Sequence, residues 1–192
     1  MYKRQGQPGP AAGLSRAARR DPGVFPGQLA ISAAQEAKAL AMMGDGGGTD
    51  RLLDEADEQA SAAAERPEDS PPWLYYHSPG FFALQRGLAY SYLAGQPLYR
   101  ARAIAALEAG HAKLPGGEQQ SEWAAEYLCY LADLHALGGD VEQATVAAMK
   151  AATVAHRARS VRLLRMLAQV RARLTARWPD DPDVAALREA IR

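Results

Sequence analysis

Histidine and cysteine are the side chains of this chain that most readily bind metals or act as catalysts. The sequence holds four histidines and one cysteine, namely His77, His111, His135, His156 and Cys129. None of them has a second histidine or cysteine at the short spacing usual for zinc ligands, so no metal site is predicted. A nucleophilic cysteine also needs a nearby base, and the sequence identifies none. We therefore predict a buried, unreactive thiol, no cofactor and no enzymatic activity.

Two further stretches carry residue types that can bind phosphates or cations. Gly44–Gly48 is rich in glycine, but it lacks the Lys-Ser/Thr of a phosphate-binding loop and follows a predicted helix, so a flexible turn is expected. Nine acidic residues stand between Asp45 and Asp69, against two arginines. Because no histidine is nearby, Asp54, Glu55, Asp57 and Glu58 are expected to form a solvated face near a helix N-terminus, where negative charge is favourable. Asp50, with Thr49, is expected to offer capping oxygens to the same helix.

Aromatic residues are concentrated in the middle of the chain. Eleven of the fourteen Phe, Trp and Tyr residues lie between Trp73 and Tyr130. Burial between packed helices accounts for many of them, and the excess of tyrosine and tryptophan could line a groove for a peptide or a small ligand. The residues predicted to line that groove are Trp73, Tyr75, Tyr76, Tyr90, Tyr127 and Tyr130.

A run of basic residues lies near the end of the chain. Seven arginines and no acid occur from Arg157 to Arg177. On a helical wheel the leucines fall on one side, and the opposite side carries a basic face of Arg159, Arg162, Arg165 and Arg173. A solvated surface is one interpretation. Another is a contact with an acidic partner, such as residues 45–69 of a second copy in a homodimer. Nucleic-acid contact is disfavoured because no exposed aromatics are interleaved.

Composition restricts the class of protein. The chain is 48% hydrophobic and can build a core, while equal numbers of acidic and basic residues, 22 each, give no overall attraction to DNA or anionic membranes. A single cysteine allows no internal disulfide, which fits a cytoplasmic location. No apolar run approaches the ~20 residues that cross a membrane. Tyr2–Gln5 resembles translated sequencing adapter, so we expect a C-terminal piece of a longer protein.

The elements that position these residues are predicted to be helices throughout. Apolar residues recur at helical spacing, and no segment alternates with the period of a strand. Residues 1–24 are predicted to be a disordered or truncated leader, with Ala11–Arg20 as the end of a truncated helix, and residues 25–192 one helical domain. Its predicted hairpins cover about 28–65, 79–112 and 119–157, with a terminal pair at 160–191. The proline-rich stretch that begins at Arg66 is predicted to be a loop between the first two hairpins.

The first and third hairpins share one pattern of small and large residues. Ala37, Leu40, Gly44, Asp45, Thr49, Leu53 and Ala56 have the same spacing as Ala132, His135, Gly139, Asp140, Ala144, Ala148 and Ala151. This is the spacing of the tetratricopeptide repeat, in which small residues lie where two helices cross closely. The middle hairpin fits only in halves, with Gly87 and Tyr90 in one helix and Ala103, Leu107 and Gly110 in the next. The predicted fold is all-α, a short right-handed TPR-like α-solenoid.

Three segments carry a narrower resemblance. They are Arg66-Pro-Glu-Asp followed by Pro-Pro-Trp-Leu-Tyr-Tyr76, Ser121-Glu-Trp-Ala-Ala-Glu-Tyr-Leu128, and Arg177-Trp-Pro179. They resemble the helical-repeat C-terminal region of actinobacterial XRE-type helix-turn-helix transcriptional regulators, over roughly residues 25–192. The resemblance implies a domain that binds a protein, a peptide or a small effector and does not itself bind DNA. The alternative is a stand-alone TPR adaptor.

Overall fold

Helices make up the regular structure of residues 6–21, 23–74 and 78–191, which are the residues that this computed structural model describes. The all-α prediction is confirmed. In chain order the helices are α1 (Pro8–Ala17), α2 (Pro26–Met42), α3 (Gly46–Ala64), α4 (Pro79–Ser91), α5 (Pro97–Ala112), α6 (Gly116–Gln119), α7 (Glu122–Gly138), α8 (Val141–Arg157), α9 (Val161–Arg177) and α10 (Pro182–Ala190). Two 3₁₀ turns, Pro67–Asp69 and Pro72–Leu74, lie in the proline-rich stretch.

Six of the described helices begin directly after a capping side chain. In α3, α4, α7, α8, α9 and α10 the residue before the helix is an aspartate or serine whose side chain accepts a hydrogen bond from a backbone N–H in the first turn. Such a bond satisfies one of the donors that a helix start leaves free. The capping residues are Asp45, Ser78, Ser121, Asp140, Ser160 and Asp181.

One turn geometry occurs three times. After α2 and α7 the chain passes through Gly44 and Gly139 at φ of 84° and 93°. The next residue then donates its N–H to the carbonyl five positions back, over 3.0 Å in both cases. After α8, Arg159 takes the left-handed position at φ of 49°, and the same bond measures 2.9 Å. These are Schellman-type helix ends, and each leads into a capped helix.

The chain divides into two compact units, residues 1–110 and residues 111–192. In the first unit α2 packs against α3, and both pack against α4, while α1 packs against α2. Small residues lie at the α2–α3 contact, where Ala33, Ala34 and Ala56 are buried together. The hydroxyl of Thr49 reaches the carbonyl of Ala37 over 3.4 Å, which shows how closely these helices cross.

Helices α4 and α5 cross at two glycines. A Cβ atom on Gly87 would lie 2.6 Å from Leu107 Cγ, and one on Gly110 would lie 2.8 Å from the backbone nitrogen of Leu84. Real Cβ atoms do not approach other atoms so closely, so only glycine allows this crossing. The two halves of the predicted middle hairpin thus meet at the residues that carried its repeat pattern.

The second unit repeats the packing order of the first. Helix α7 packs against α8, both pack against α9, and α10 packs against α8 and α9. The core side of α9 is made by Leu163, Leu167, Val170 and Leu174, all buried as the helical wheel predicted. Helix α10 adds Val184 and Leu187. The relation of α7, α8 and α9 matches that of α2, α3 and α4.

The structure differs from the predicted boundaries at three places. Residues 46–48, predicted to lie in a flexible turn, form the first turn of α3. Residues 8–17, predicted to lie in a disordered or truncated leader, form α1, which packs Ala11 and Ala12 against Ala39. The signal was a proline in the first helical turn. Residues 25–192, predicted to be one domain, are shared between the two units. In a chain of hairpins each contacts only its neighbours, so the spacing of the pattern does not reveal such a division.

Candidate functional site

Side chains from three helices of the first unit surround an open cleft of about 600 Å³. Helix α3 contributes two acids one turn apart, α4 contributes an arginine and a tyrosine one turn apart, and α5 contributes an arginine and two alanines. The lining residues are Asp50, Asp54, Arg86, Tyr90, Arg102, Ala105 and Ala106. The cleft therefore combines both signs of charge, an aromatic ring and a small apolar wall.

Arg86 joins α4 to α3. Its Nη2 lies 3.1 Å from Asp54 Oδ1 and 2.7 Å from Asp57 Oδ2, and its Nη1 donates to the Tyr90 hydroxyl over 3.0 Å. Burial alone would lower the pKa of Arg86, but the ion pairs with Asp57 and Asp54 outweigh burial and raise the pKa above its ordinary value. Arg86 is therefore a fixed cation within the wall of the cleft.

Asp50 is the acceptor at the other side of the cleft. The Tyr99 hydroxyl donates to its Oδ2 over 3.2 Å, and Arg102 Nη1 lies 3.2 and 3.4 Å from its two oxygens. The Arg102 side chain is 44% exposed. Helix α3 begins at Gly46 beside the Tyr99 ring, and a Cβ atom there would clash with the Tyr99 hydroxyl. A glycine at this position thus lets Tyr99 reach Asp50.

Two buried tyrosines lie beneath the charges. The rings of Tyr90 and Tyr99 are 5.6 Å apart and tilted by 45°. The Arg86 and Arg102 guanidiniums each lie 5.9 Å from the Tyr90 centroid, and Arg102 lies 5.6 Å from that of Tyr99. Burial, with a smaller contribution from Asp50, raises the pKa of both phenols above its ordinary value. They remain neutral at physiological pH and offer π faces and hydrogen bonds.

Binding is the chemistry that this arrangement supports. Two carboxylates (Asp50 and Asp54) and two guanidiniums line the cleft, and Asp57, which pairs with Arg86, adds a third carboxylate beside it. Ala105 and Ala106 add an apolar wall on which a carbon chain could lie. Within the described ranges no group of three or more His, Cys, Asp or Glu residues is arranged to hold a metal ion.

The structure distributes the residues of the predicted aromatic groove. Tyr90 lines the cleft. Trp73 is 65% exposed on the second 3₁₀ turn and does not line it. Tyr75 and Tyr76 lie outside the described residues. Tyr127 and Tyr130 belong to α7 in the second unit, where Tyr127 is buried edge-to-face against Trp123. Of the described residues in the predicted set, Tyr90 is the one that lines the cleft.

The sequence interpretation missed most of the cleft. Asp54 had been assigned to a solvated acidic face and Asp50 to helix capping, and Arg86, Tyr99 and Arg102 had no role. A signal was present, because Arg86 and Tyr90 are four residues apart while Tyr99 and Arg102 are three apart, each pair on one helix face. Two such pairs on consecutive helices indicate a joint arginine–tyrosine surface.

The predicted basic face is partly neutralised inside the second unit. Arg162 pairs with Glu126 and lies 3.6 Å from Glu122. Arg173 pairs with Asp133 over 2.7 Å. Arg159 and Arg165 are exposed, and no ion pair of either is found in the described part of the chain. The face therefore presents two uncompensated arginines instead of four.

The remaining reactive side chains occupy separate elements. Cys129 is buried on α7, as predicted, and burial together with Asp133 and Glu126 raises the pKa of its thiol to about 12. His111 lies on α5, His135 on α7 and His156 on α8, while His77 lies outside the described residues. Burial lowers the pKa of His111. A protonated Cys129 agrees with the predicted unreactive thiol.

Comparisons with known proteins do not identify the chain. No protein-family model, no curated protein and no solved structure matches it. Its described helices include none with the length and apolar character needed to cross a membrane. A functional assignment therefore has to be argued from the packing of the helices and from the cleft.

Proposed function

We propose that this chain is a non-enzymatic, TPR-like helical-repeat domain that binds a protein or peptide segment. The observation that carries the proposal is that both units contain the same arrangement. In each, a glycine and a capping aspartate form the turn between the two helices of a hairpin, and both helices pack against the helix that follows. Repeats of this kind present extended surfaces for other chains. The spacing shared by residues 37–56 and 132–151 supports the same interpretation.

The binding site in this proposal is the cleft between α3, α4 and α5. Its volume, about 600 Å³, is typical of ligand sites, and it combines an apolar wall with a few convergent polar groups. Arginine and tyrosine are also the residue types that contribute most at protein interfaces. A small effector is a second class of ligand for the same cleft.

The biological role that we propose is regulatory. The resemblance to the C-terminal region of XRE-type regulators supports a function in which ligand binding shifts the assembly of a transcription factor. A stand-alone adaptor is the alternative. The reading frame upstream of residue 6 discriminates between them: a helix-turn-helix in frame supports the regulator, and a start codon without one supports the adaptor.

A peptide array probed with the purified chain tests the proposal. We expect selective capture of a subset of peptides, with affinity reduced at least about tenfold by Ala105→Trp, which fills the cleft without removing a core residue. Ala109→Trp is the matched control, since Ala109 is also exposed on α5 but does not line the cleft. Failure to capture any peptide would overturn the proposal, and unchanged capture by Ala105→Trp would exclude the cleft.

A further inference from the structure

The cleft already binds two cations, and both belong to the chain itself. Arg86 is held by two carboxylates and Arg102 by one, and each guanidinium lies beside a tyrosine ring. We propose that the cleft selects a basic peptide segment, and that Arg102 is an internal placeholder, which a lysine or arginine of the peptide displaces from Asp50. This inference rests on the proposed peptide-binding function and specifies its ligand.

The two arginines differ in how firmly they are held. Arg86 contacts two carboxylates and a hydroxyl and is largely buried. Arg102 is 44% exposed, and its only ion pair in the described part of the chain is with Asp50, at 3.2 Å. An exposed single pair of this kind favours the bound over the free side chain by less than about fivefold. Arg102 is therefore the cation that a ligand can replace.

The surroundings of Asp50 suit a long cationic side chain. Ala105 and Ala106 lie one turn beyond Arg102 on α5 and offer an apolar surface for a methylene chain. The Tyr99 hydroxyl remains as a donor to Asp50, and the rings of Tyr90 and Tyr99 lie within cation–π distance of the displaced guanidinium. A peptide arginine or lysine thus finds the same contacts that Arg102 leaves.

The charge of the cleft opposes acidic ligands. A peptide carboxylate at Asp50 would meet Asp54 and Asp57 on the same face of α3. Arg86, the one cation paired with them in the described part of the chain, is already shared between them. The side chains of Asp54 and Asp57 are more than half exposed, so they also attract a second basic residue of the ligand. Selectivity for basic over acidic segments follows from this arrangement.

Fluorescence anisotropy with three labelled peptides of equal length tests the inference. One carries arginines, the second glutamines and the third glutamates at the same positions. We expect the arginine peptide to bind the wild-type chain most tightly. Arg102→Ala should tighten its binding about two- to fivefold, because the internal competitor is gone. Asp50→Asn should weaken its binding about tenfold.

Arg100→Ala separates displacement from a general change in charge. It removes one positive charge from the same helix, and Arg100 does not line the cleft. The inference is overturned if Arg100→Ala tightens binding as much as Arg102→Ala does, if Arg102→Ala weakens binding, or if the glutamate peptide binds at least as tightly. Thermal melts followed by circular dichroism check that each variant is folded.

The outcomes for this inference differ from those for the proposed function. If the array captures only neutral or acidic peptides and Ala105→Trp abolishes capture, peptide binding stands and selection of a basic segment fails. If no peptide is captured, both fail. Binding of spermine, lost in Asp50→Asn, without binding of the arginine peptide would overturn the peptide assignment in favour of a free polyamine.

Discussion

Burial determines the reactivity of the Cys129 thiol. Its thiol is buried on α7 and its pKa is raised to about 12, so at pH 8 its thiolate fraction is roughly a thousandfold lower than that of an ordinary cysteine. We expect no reaction of the folded protein with a disulfide reagent and full reaction in guanidinium chloride. Fast labelling of the folded chain would contradict the burial.

The same pKa predicts a dependence of stability on pH. A thiol whose pKa is raised on folding stabilises the folded state fully below pH 9, and this contribution is lost as the pH rises toward 12. The free energy of unfolding of wild type should therefore fall more steeply above pH 9 than that of Cys129→Ala. Urea titrations from pH 8 to 11 measure the difference. Tyr90 and Tyr99 titrate in both proteins, so their contributions cancel in the difference between wild type and Cys129→Ala.

Glu36 is the most deeply buried charge of the first unit. It is 2% exposed on α2 and pairs with Arg16 and Arg19, which are 62% and 13% exposed. Arg19→Ala should cost about 2 kcal/mol of unfolding free energy, because a buried charge loses a hydrogen bond. Arg16→Ala should cost less than about 1 kcal/mol. Equal losses in urea unfolding would show that burial does not distinguish these pairs.

At the scale of the element, the three equivalent turns make a comparison possible. Arg159 occupies the left-handed position that glycine takes after α2 and α7. Arg159→Gly should raise the free energy of unfolding by about 1 kcal/mol, because glycine adopts the left-handed conformation without strain. Gly44→Ala should lower the free energy of unfolding by a similar amount for the same conformational reason, because no atom lies within 4 Å of the added Cβ and a steric clash is excluded. If thermal melts showed that both substitutions change the stability in the same direction, a purely conformational cause would be contradicted.

A glycine-to-alanine substitution should have opposite effects on stability at the α4–α5 crossing and in α1. Gly87→Ala places a methyl group 2.6 Å from Leu107, and we expect a loss of about 1–3 kcal/mol. Gly13→Ala in α1 meets open space and should gain about 0.5–1 kcal/mol from reduced backbone entropy. Urea unfolding of the two variants gives the signs, and stabilisation by Gly87→Ala would contradict the close crossing.

Local signals explain which elements were predictable. The capping residues, the glycines of the turns and the 3.6-residue period all lie within a few positions of the helices they determine, so the helices of the three hairpins and the terminal pair could be predicted from them. Helix α1 was expected only as the end of a truncated helix over residues 11–20, because its ion pairs join Arg16 and Arg19 to Glu36, which lies 20 and 17 residues further on. No local pattern encodes that contact.

At the scale of the whole molecule, the cleft depends on long-range packing. Arg86 reaches acids 29 and 32 residues away, and Arg102 reaches one 52 residues away. The sequence showed each side chain on its own helix, and tertiary packing determined which ones meet. Tyr90 and Tyr127, which the predicted groove had joined, belong to different compact units.

The two units should respond differently to a ligand. Because the described residues that line the cleft belong to α3, α4 and α5, an arginine peptide should slow amide hydrogen exchange in these helices and leave α7, α8 and α9 unchanged. Hydrogen exchange followed by mass spectrometry provides the measurement, with the glutamate peptide as control. Protection centred on α7 to α9 would place the site elsewhere.

The glycine crossing of α4 and α5 also bears on how fast a ligand can bind. A Cβ atom at Gly87 or Gly110 would lie too close to backbone atoms of the neighbouring helix, so α4 and α5 have no room to slide past each other. The helices that form two sides of the cleft are therefore in place before a peptide arrives. Association should follow a single exponential whose rate rises linearly with peptide concentration, without the plateau that a slow opening step would impose.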